Sequence, residues 1–127
     1  MVVANNDKLV VLIVEDSFSI QERLVMQLKD HENIRQILKA AHFDQAVSLF
    51  REHSPRLIIM DIGLSEEKTG IDLLRFVKTQ SPTTKVIMLS NRSNKFYREL
   101  CLALGCTHFV DKSEEFEKIP ALISEIH

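Results

Sequence analysis

The chain has 127 residues, of which 45% are hydrophobic and 27% are charged, and its formal net charge is −2. This balance excludes a disordered chain, and the scattered Lys and Arg residues argue against direct nucleic-acid binding. The apolar run after Lys8 ends at Glu15, too early for a signal peptide or a membrane span. We therefore expect one cytoplasmic domain over residues 1–127, with residues 1–7 as a flexible extension.

The first half of the chain alternates between apolar runs and helical periodicity. Apolar runs predict strands over residues 9–14 and 57–60, and a less regular alternation over residues 34–41 predicts a strand between them. Two amphipathic helices follow the first two strands, marked by Ile20, Leu24 and Leu28 and by Phe43, Ala46, Val47 and Phe50. Ser17 is a candidate N-cap of the first helix. Ser54 precedes Pro55 and ends the second helix, because a residue before proline avoids the helical region.

The second half continues the same alternation. Two further strands are predicted over residues 86–89 and 108–110. Three helices are marked by Ile71, Leu74 and Val77, by Tyr97, Leu100, Cys101 and Leu104, and by Ile119, Ile123 and Ile126. Ser81-Pro82 ends the first of these helices and Gly105 caps the second. Pro120 suits only a first helical turn, so a turn over residues 113–117 and a late helix start are expected.

Five strand–helix units in strict alternation predict an α/β fold, with a doubly wound five-stranded parallel sheet and five helices. Binding sites in such folds form at the carboxyl ends of the strands. Chemically capable side chains follow four of the predicted strands: Glu15 and Asp16, Asp61, Ser90 and Asn91, and Phe109 and Lys112. Three carboxylates, a hydroxyl and an amine are therefore expected at one edge of the sheet.

Three neighbouring carboxylates repel one another, and one lysine cannot balance them. Either the pKa values of these carboxyl groups rise, or a cation binds between them. Oxygen ligands favour Mg²⁺, which commonly bridges carboxylates to a phosphate, and aspartate is a known covalent acceptor of phosphoryl groups. Asp61 projects from the centre of the predicted sheet, so it is the candidate nucleophile.

These residues resemble a known family. The segments "VEDS" (14–17), "IIMDIGL" (58–64) followed by Gly70, "MLSN" (88–91) and "FVDKS" (109–113) resemble the receiver domain of two-component response regulators. The order of the segments and their placement at successive strand ends make the set specific. The resemblance implies a flavodoxin-like, CheY-like fold with strand order 2-1-3-4-5.

The resemblance also implies a role for each residue. Asp61 would be the phosphorylated aspartate. Glu15, Asp16, Asp61 and the main-chain carbonyl of Gly63 would bind Mg²⁺, with Asp16 a direct ligand and Glu15 acting partly through water. Mn²⁺ could substitute. Lys112 would pair with Asp61 and then with the phosphate, and Ser90 would bond the phosphate after transfer. Phe109 would be the aromatic switch, turning inward as Ser90 moves.

The implied partners are proteins. The phosphoryl donor would be a histidine kinase or a histidine phosphotransfer protein, and the recipient of the signal a downstream effector protein or output domain. Self-phosphorylation, slow autodephosphorylation and a phosphorylation-dependent homodimer are compatible with the family, whereas membrane binding is not expected. The sequence leaves open whether the chain acts alone or belongs to a longer regulator.

The chain departs from the family pattern at four positions. Ser65 stands where proline is common, and Gly70 falls one residue late, after a longer polar loop. Ser113 follows Lys112 in place of the usual proline. Asn91 replaces a small residue next to Ser90, which predicts slower attack by water or altered donor access.

Two other readings remain at this point. A receiver-like interaction module that takes no phosphate would explain the altered loop. A dehalogenase-type phosphatase also uses an aspartate at a strand end, but it places a second aspartate two residues later, where Gly63 stands. Three glycines that form no phosphate-binding cluster give poor support to a dinucleotide-binding enzyme.

Overall fold

The computed structural model describes residues 7–64, 68–91 and 95–126, so most of the predicted N-terminal extension lies outside the described residues. Strands and helices alternate along the chain as the sequence predicts. In order they are β1 (Leu9–Val14), α1 (Phe18–Leu28), β2 (Ile34–Ala40), α2 (Phe43–His53), β3 (Leu57–Asp61), α3 (Gly70–Gln80), β4 (Lys85–Ser90), α4 (Lys95–Ala103), β5 (His108–Asp111), a 3₁₀ turn (Phe116–Lys118) and α5 (Ile119–Ser124).

The five strands form one parallel sheet in the order β2-β1-β3-β4-β5. This is the doubly wound order expected from the sequence, and the fold prediction is confirmed. The order reverses direction between β1 and β3, so a crevice opens beyond their carboxyl ends. The residues that follow β1 and those that end β3 therefore face each other across that crevice.

Apolar side chains cover both faces of the sheet. Alternate strand residues such as Ile58 and Met60 pack with α2, α3 and α4 on one face. Their neighbours, such as Leu57 and Ile59, pack with α1 and α5 on the other. A strand with helices on both faces must be apolar on both faces, which explains the uninterrupted apolar runs in the sequence. Among the described residues, no helix combines the length and apolar character needed to cross a bilayer.

Several element ends follow the predicted local chemistry. The Ser17 side chain accepts a hydrogen bond from the Ile20 amide and caps α1. Ser54 ends α2 in the left-handed region, with φ 46°. Pro120 lies in the first turn of α5, after the expected turn. These local signals at the helix ends explain why the sequence predicts the order of the helices.

Some predicted boundaries need correction. The second strand ends at Ala40, one residue early, because Ala41 donates its amide to the Gln45 side chain instead. The third, fourth and fifth strands end one residue later than predicted, because Asp61, Ser90 and Asp111 still pair with neighbouring strands. The fourth strand also begins one residue earlier than predicted, at Lys85. Predicted helix members Leu104 and Ile126 lie just beyond the ends of α4 and α5.

Candidate functional site

The strand ends bring the predicted site residues together at one edge of the sheet. Glu15 directly follows β1, Asp61 ends β3, Ser90 ends β4 and Lys112 directly follows β5. Backbone pairing fixes this placement, since the Lys112 amide donates to the Ser90 carbonyl at 2.8 Å and the Glu15 amide to the Ala40 carbonyl at 2.9 Å. The convergence expected from the strand order is therefore present in the structure.

Glu15, Asp16 and Asp61 form the acidic cluster predicted from the sequence. Each contributes one carboxylate oxygen, and the three oxygens lie within 4.8 Å of one another. Glu15 is 1% exposed and Asp61 8% exposed, while Asp16 is half-buried. Three carboxylates at this separation, two of them removed from water, require positive charge nearby.

Lys112 supplies part of that charge. Its Nζ atom lies 2.7 Å from Glu15 Oε1 and 3.3 Å from Asp61 Oδ2, and its side chain is almost fully buried. The family resemblance paired Lys112 with Asp61. In the structure the ammonium group bridges both carboxylates and makes its shorter contact with Glu15. Lys112 thus neutralises one charge of three, and the cluster retains a negative excess.

Glu15 carries the clearest electrostatic perturbation of the site. Burial raises the pKa of Glu15 to about 7, an effect opposed by its hydrogen bond to Lys112 and reinforced by the negative charge of Asp61. Its second oxygen, Oε2, is buried and has no hydrogen-bond partner among the described residues. A buried acceptor oxygen without a donor, within an all-oxygen cluster, fits a hard divalent cation such as Mg²⁺.

Gly63 and Gly70, on either side of the residues that are not described, both lie close to Asp61. The Gly63 amide donates to Asp61 Oδ1 at 3.3 Å, and the Gly70 amide donates to the Ile62 carbonyl at 3.0 Å. A Cβ atom on Gly70 would collide with the backbone carbonyl of Asp61, whereas a Cβ on Gly63 would meet nothing within 4 Å. Gly70 therefore permits α3 to begin against the Asp61 backbone, despite its late position in the sequence.

A capping box fixes the start of α3. The Thr69 amide donates to Asp72 Oδ2 at 2.8 Å, and the Asp72 amide donates to Thr69 Oγ1 at 3.4 Å. Sequence reasoning did not use this pair, although the Thr-x-x-Asp spacing is a recognised capping signature. Ser65, where the family commonly has proline, lies outside the described residues.

A cavity of about 420 Å³ opens beside the acceptor. It is lined by Asp61, Ile62, Gly63, Thr69, Ile71, Ser90, Asn91 and Tyr97. Asn91 therefore lies on the approach to Asp61, as its position after Ser90 implied. Tyr97, one of the residues that mark α4 in the sequence, is partly exposed and lines this cavity. A donor group reaching Asp61 through the cavity passes Asn91 and Tyr97.

Phe109 is 5% exposed and packs in the core on the side of α2, α3 and α4. The Arg98 guanidinium lies over its ring, 5.1 Å from the centroid, and Arg98 Nη1 donates to the Phe109 carbonyl at 3.3 Å. Arg98 Nη2 also contacts Glu115 Oε1 at 3.3 Å, and that oxygen accepts the Asp111 amide. The aromatic residue predicted as a switch is thus tied to α4 and to the turn after β5.

Asp111 is a buried strand-end carboxylate that sequence reasoning missed. Its Oδ1 atom accepts hydrogen bonds from the Ser113 amide at 2.8 Å, the Ser113 hydroxyl at 2.6 Å and the Glu114 amide at 3.3 Å. Aspartate followed two residues later by serine is a common turn former, so the signal was present in the sequence. These bonds close the turn after Lys112, where the family usually has proline.

A larger cavity of about 570 Å³ lies at the opposite, amino end of β3 and β4. Its lining includes Arg51, Arg56 and Lys85 together with hydroxyl side chains, and none of the acidic cluster. The carboxyl ends of α2 and α3 point toward this region, and cations there complement the helix dipoles. Arg51 lies in the last turn of α2, where it complements the helix dipole, and the acidic cluster lies at the other edge of the sheet.

Comparisons with known proteins agree with this geometry. The family described as response regulator receiver domain matches residues 11–124. The chain is 27% identical over 109 residues to the Fimbriae Z protein of Salmonella typhimurium, and 29% identical over 111 residues to the virulence transcriptional regulatory protein PhoP of that organism. These alignments cover 86% and 87% of this chain but 51% and 48% of those proteins, so the chain spans about half their length.

Solved structures give the same fold. The receiver domain of NtrX from Brucella abortus superposes with a TM-score of 0.80 at 26% identity, covering 91% of this chain and 94% of that one. The response regulator domain of Thermotoga maritima CheB gives a TM-score of 0.80 at 24% identity, covering 94% and 93%. The two neighbours are similar to this chain over nearly its whole length.

Proposed function

Since the chain belongs to the response regulator receiver family, we propose that it accepts a phosphoryl group on Asp61 and thereby changes its binding to a partner. The observation that carries the proposal is the surroundings of this one carboxylate. Asp61 ends the central strand β3, contacts the buried Lys112 ammonium at 3.3 Å and shares a cluster with Glu15 and Asp16. It also lines the cavity that contains Ser90.

In the transfer step an Asp61 carboxylate oxygen attacks the phosphorus of a phosphohistidine. A P–O bond forms as the P–N bond breaks, and the electron pair of the broken bond stays on the imidazole nitrogen. Lys112 moves its hydrogen bonding from the carboxylates to a phosphoryl oxygen, and the Ser90 hydroxyl donates to another. The chain therefore supplies orientation and charge complementarity, which are the main protein contributions to phosphoryl transfer.

Glu15, Asp16, Asp61 and the carbonyl of Gly63 would hold a Mg²⁺ ion, and Mn²⁺ could replace it. The three carboxylates and the buried Oε2 atom of Glu15 suit such an ion, as described above. When bound, the ion neutralises negative charge on the transferring phosphoryl oxygens. Without it, one lysine faces three carboxylates and an incoming anion.

The proposed donor is a histidine kinase or a histidine phosphotransfer protein, located with this chain in the cytoplasm. Phosphorylation would shift the position of Phe109 and of the surface formed by α4, β5 and α5. That surface would then bind an effector protein, an output domain or a second phosphorylated copy. Arg98 supports this route, because it contacts Phe109 from α4.

The proposal is tested by incubating the chain with acetyl phosphate and Mg²⁺ and measuring its intact mass. Wild type should gain one phosphoryl group, and the gain should vanish with EDTA or in Asp61→Asn. Asp44→Asn, which removes an exposed carboxylate on α2, is the matched control and should retain the adduct. If acetyl phosphate gives no adduct, the same comparison is made with a phosphorylated histidine phosphotransfer domain.

The outcomes separate the remaining readings. A phosphoryl adduct that survives in Asp61→Asn would contradict the acceptor assignment. No adduct from any donor would favour an interaction module that takes no phosphate. A Phe109→Ala variant with unchanged partner affinity in both phosphorylation states would contradict the role proposed for Phe109.

A further inference from the structure

Two cysteines flank the carboxyl end of α4 and lie outside the acceptor site. Cys101 is in the last turn of α4, and Cys106 lies between α4 and β5. Both are buried as free thiols and belong to the same apolar cluster. The phosphoacceptor chemistry uses neither of them, so their proximity calls for a separate explanation.

The end of α4 is a Schellman motif that brings these two residues together. The Cys106 amide donates to the Cys101 carbonyl and the Gly105 amide to the Leu102 carbonyl, both at 3.0 Å, while Gly105 has φ 103°. These are the two hydrogen bonds and the left-handed residue that define the motif, in which the first and last side chains commonly touch. Here both of those side chains are thiols.

The same hydrogen bond limits the separation of the two residues. With its N···O distance of 3.0 Å, covalent geometry keeps the Cys101 and Cys106 α-carbons within about 7 Å of each other. That value is the upper end of the range that a disulfide spans. A disulfide between them would close a short ring across the helix end, outside the strands of the sheet.

We propose that Cys101 and Cys106 are an oxidisable dithiol, which hydrogen peroxide converts into an intramolecular disulfide that fixes the carboxyl end of α4. Cys106 is 6% exposed and Cys101 is 0% exposed, so Cys106 reacts first. The Cys106 thiolate attacks one oxygen of the peroxide, and the O–O bond breaks. The sulfur becomes a sulfenic acid, and the released hydroxide takes up the proton that the thiol lost, which gives one water. The Cys101 thiol then displaces a second water from the Cys106 sulfur. Two thiols and one hydrogen peroxide thus give one disulfide and two waters.

Burial sets the speed of this reaction. It raises the pKa of the Cys106 thiol to about 12, although the neighbouring Lys78 and Arg98 cations oppose that effect. The thiolate is the reacting form, so oxidation at neutral pH is slow and accelerates as the pH rises. The side chain of Lys78 also covers the motif, since it lies 3.4 Å from where a Cβ atom on Gly105 would be. Oxidation therefore depends on opening of this helix end.

The test treats the full chain with hydrogen peroxide at pH 8 and follows its intact mass and its non-reduced peptide map. Wild type should lose two hydrogens, show a peptide linked between Cys101 and Cys106, and return to its starting mass with dithiothreitol. Cys101→Ser should accumulate sulfenic and sulfinic acid at Cys106 without the linked peptide. Cys106→Ser should remain unmodified at Cys101. Circular dichroism checks that both variants fold, and Cys101→Ala and Cys106→Ala replace any serine variant that does not.

Three results would overturn the proposal. They are sulfinic acid at Cys106 in wild type without a linked peptide, a disulfide between two chains, and no oxidation under conditions that link the same thiols in denaturant. In the oxidised chain, amide hydrogen exchange at Leu104, Gly105 and Cys106 should slow at least severalfold and recover on reduction. Unchanged exchange would contradict the fixing of α4. These readouts require no phosphorylation, so they stand apart from the proposed function.

Discussion

Glu15→Gln is the substitution that most directly tests the electrostatics of the site. Burial raises the pKa of Glu15 from 4.5 to about 7 in the folded, metal-free chain. Between those values the folded state holds a proton that the unfolded state has lost. Stability therefore falls as the pH rises from 4.5 through 7, which is opposite in sign to the usual salt-bridged carboxylate.

The size of the effect follows from the two pKa values. Linkage between 4.5 and about 7 gives a loss on the order of 2–3 kcal/mol in the free energy of unfolding between about pH 5 and pH 8. Glutamine is neutral throughout and resembles protonated Glu15 in shape. Its side-chain amide can donate a hydrogen bond to a neighbouring carboxylate, as a protonated carboxyl can. The variant should therefore lack this loss and be more stable than wild type at pH 8.

The assay is urea unfolding of both proteins in EDTA at intervals between pH 5 and pH 8, followed by circular dichroism. The difference between the two curves isolates Glu15 from the other titrating groups. Glu114→Gln, an exposed carboxylate after Lys112, is the matched control and should follow wild type. Parallel curves for wild type and Glu15→Gln would refute the argument from burial. Mg²⁺ should bind wild type more tightly as the pH rises through about 7, and Glu15→Gln should lose that dependence.

Three further predictions concern the surroundings of the acceptor. Gly70→Ala should lower the free energy of unfolding by about 1–3 kcal/mol, because its Cβ would collide with the Asp61 backbone. Gly63→Ala, whose Cβ meets nothing within 4 Å, should change it by under about 0.5 kcal/mol, and equal urea midpoints would contradict this contrast. Arg98→Ala should speed hydrogen exchange of the β5 amides more than the surface control Lys95→Ala, and equal rates would exclude Arg98 as a restraint on Phe109. Asn91→Ala should accelerate dephosphorylation if Asn91 obstructs water at the acceptor, so an unchanged rate would exclude that obstruction.

There is a physical reason why the sequence predicts the fold and the positions of the site residues. Strands buried on both faces leave uninterrupted apolar runs, so each polar residue that ends a run marks a strand terminus. Parallel pairing then places those termini at one edge of the sheet. The sequence therefore predicts that Asp61, Ser90 and Lys112 lie at the same edge of the sheet. The structure places all three at that edge.

The contacts within the site depend on how deeply each side chain is buried, which the periodicity of the sequence does not indicate. Nothing in the sequence indicates that Lys112 lies closer to Glu15 than to Asp61, or that one Glu15 oxygen has no hydrogen-bond partner within the described part of the chain. Arg98 on α4 contacts Phe109 on β5 because of the length and direction of its side chain. Spacing along one helix cannot specify a contact with another element.

Lys112 and Phe109 lie close together on the chain, and this proximity gives the proposed switch a physical route. In the proposed switch, Lys112 turns from Glu15 toward a phosphoryl group, and this movement would act on the backbone of the adjacent Asp111. The Asp111 amide donates to Glu115, which contacts Arg98, and Arg98 lies over Phe109. Such a series of contacts carries energetic coupling between sites when it has two discrete arrangements. The buried charge at Glu15 biases the first arrangement, so protonating or neutralising Glu15 should weaken the hold on Lys112 and favour the second.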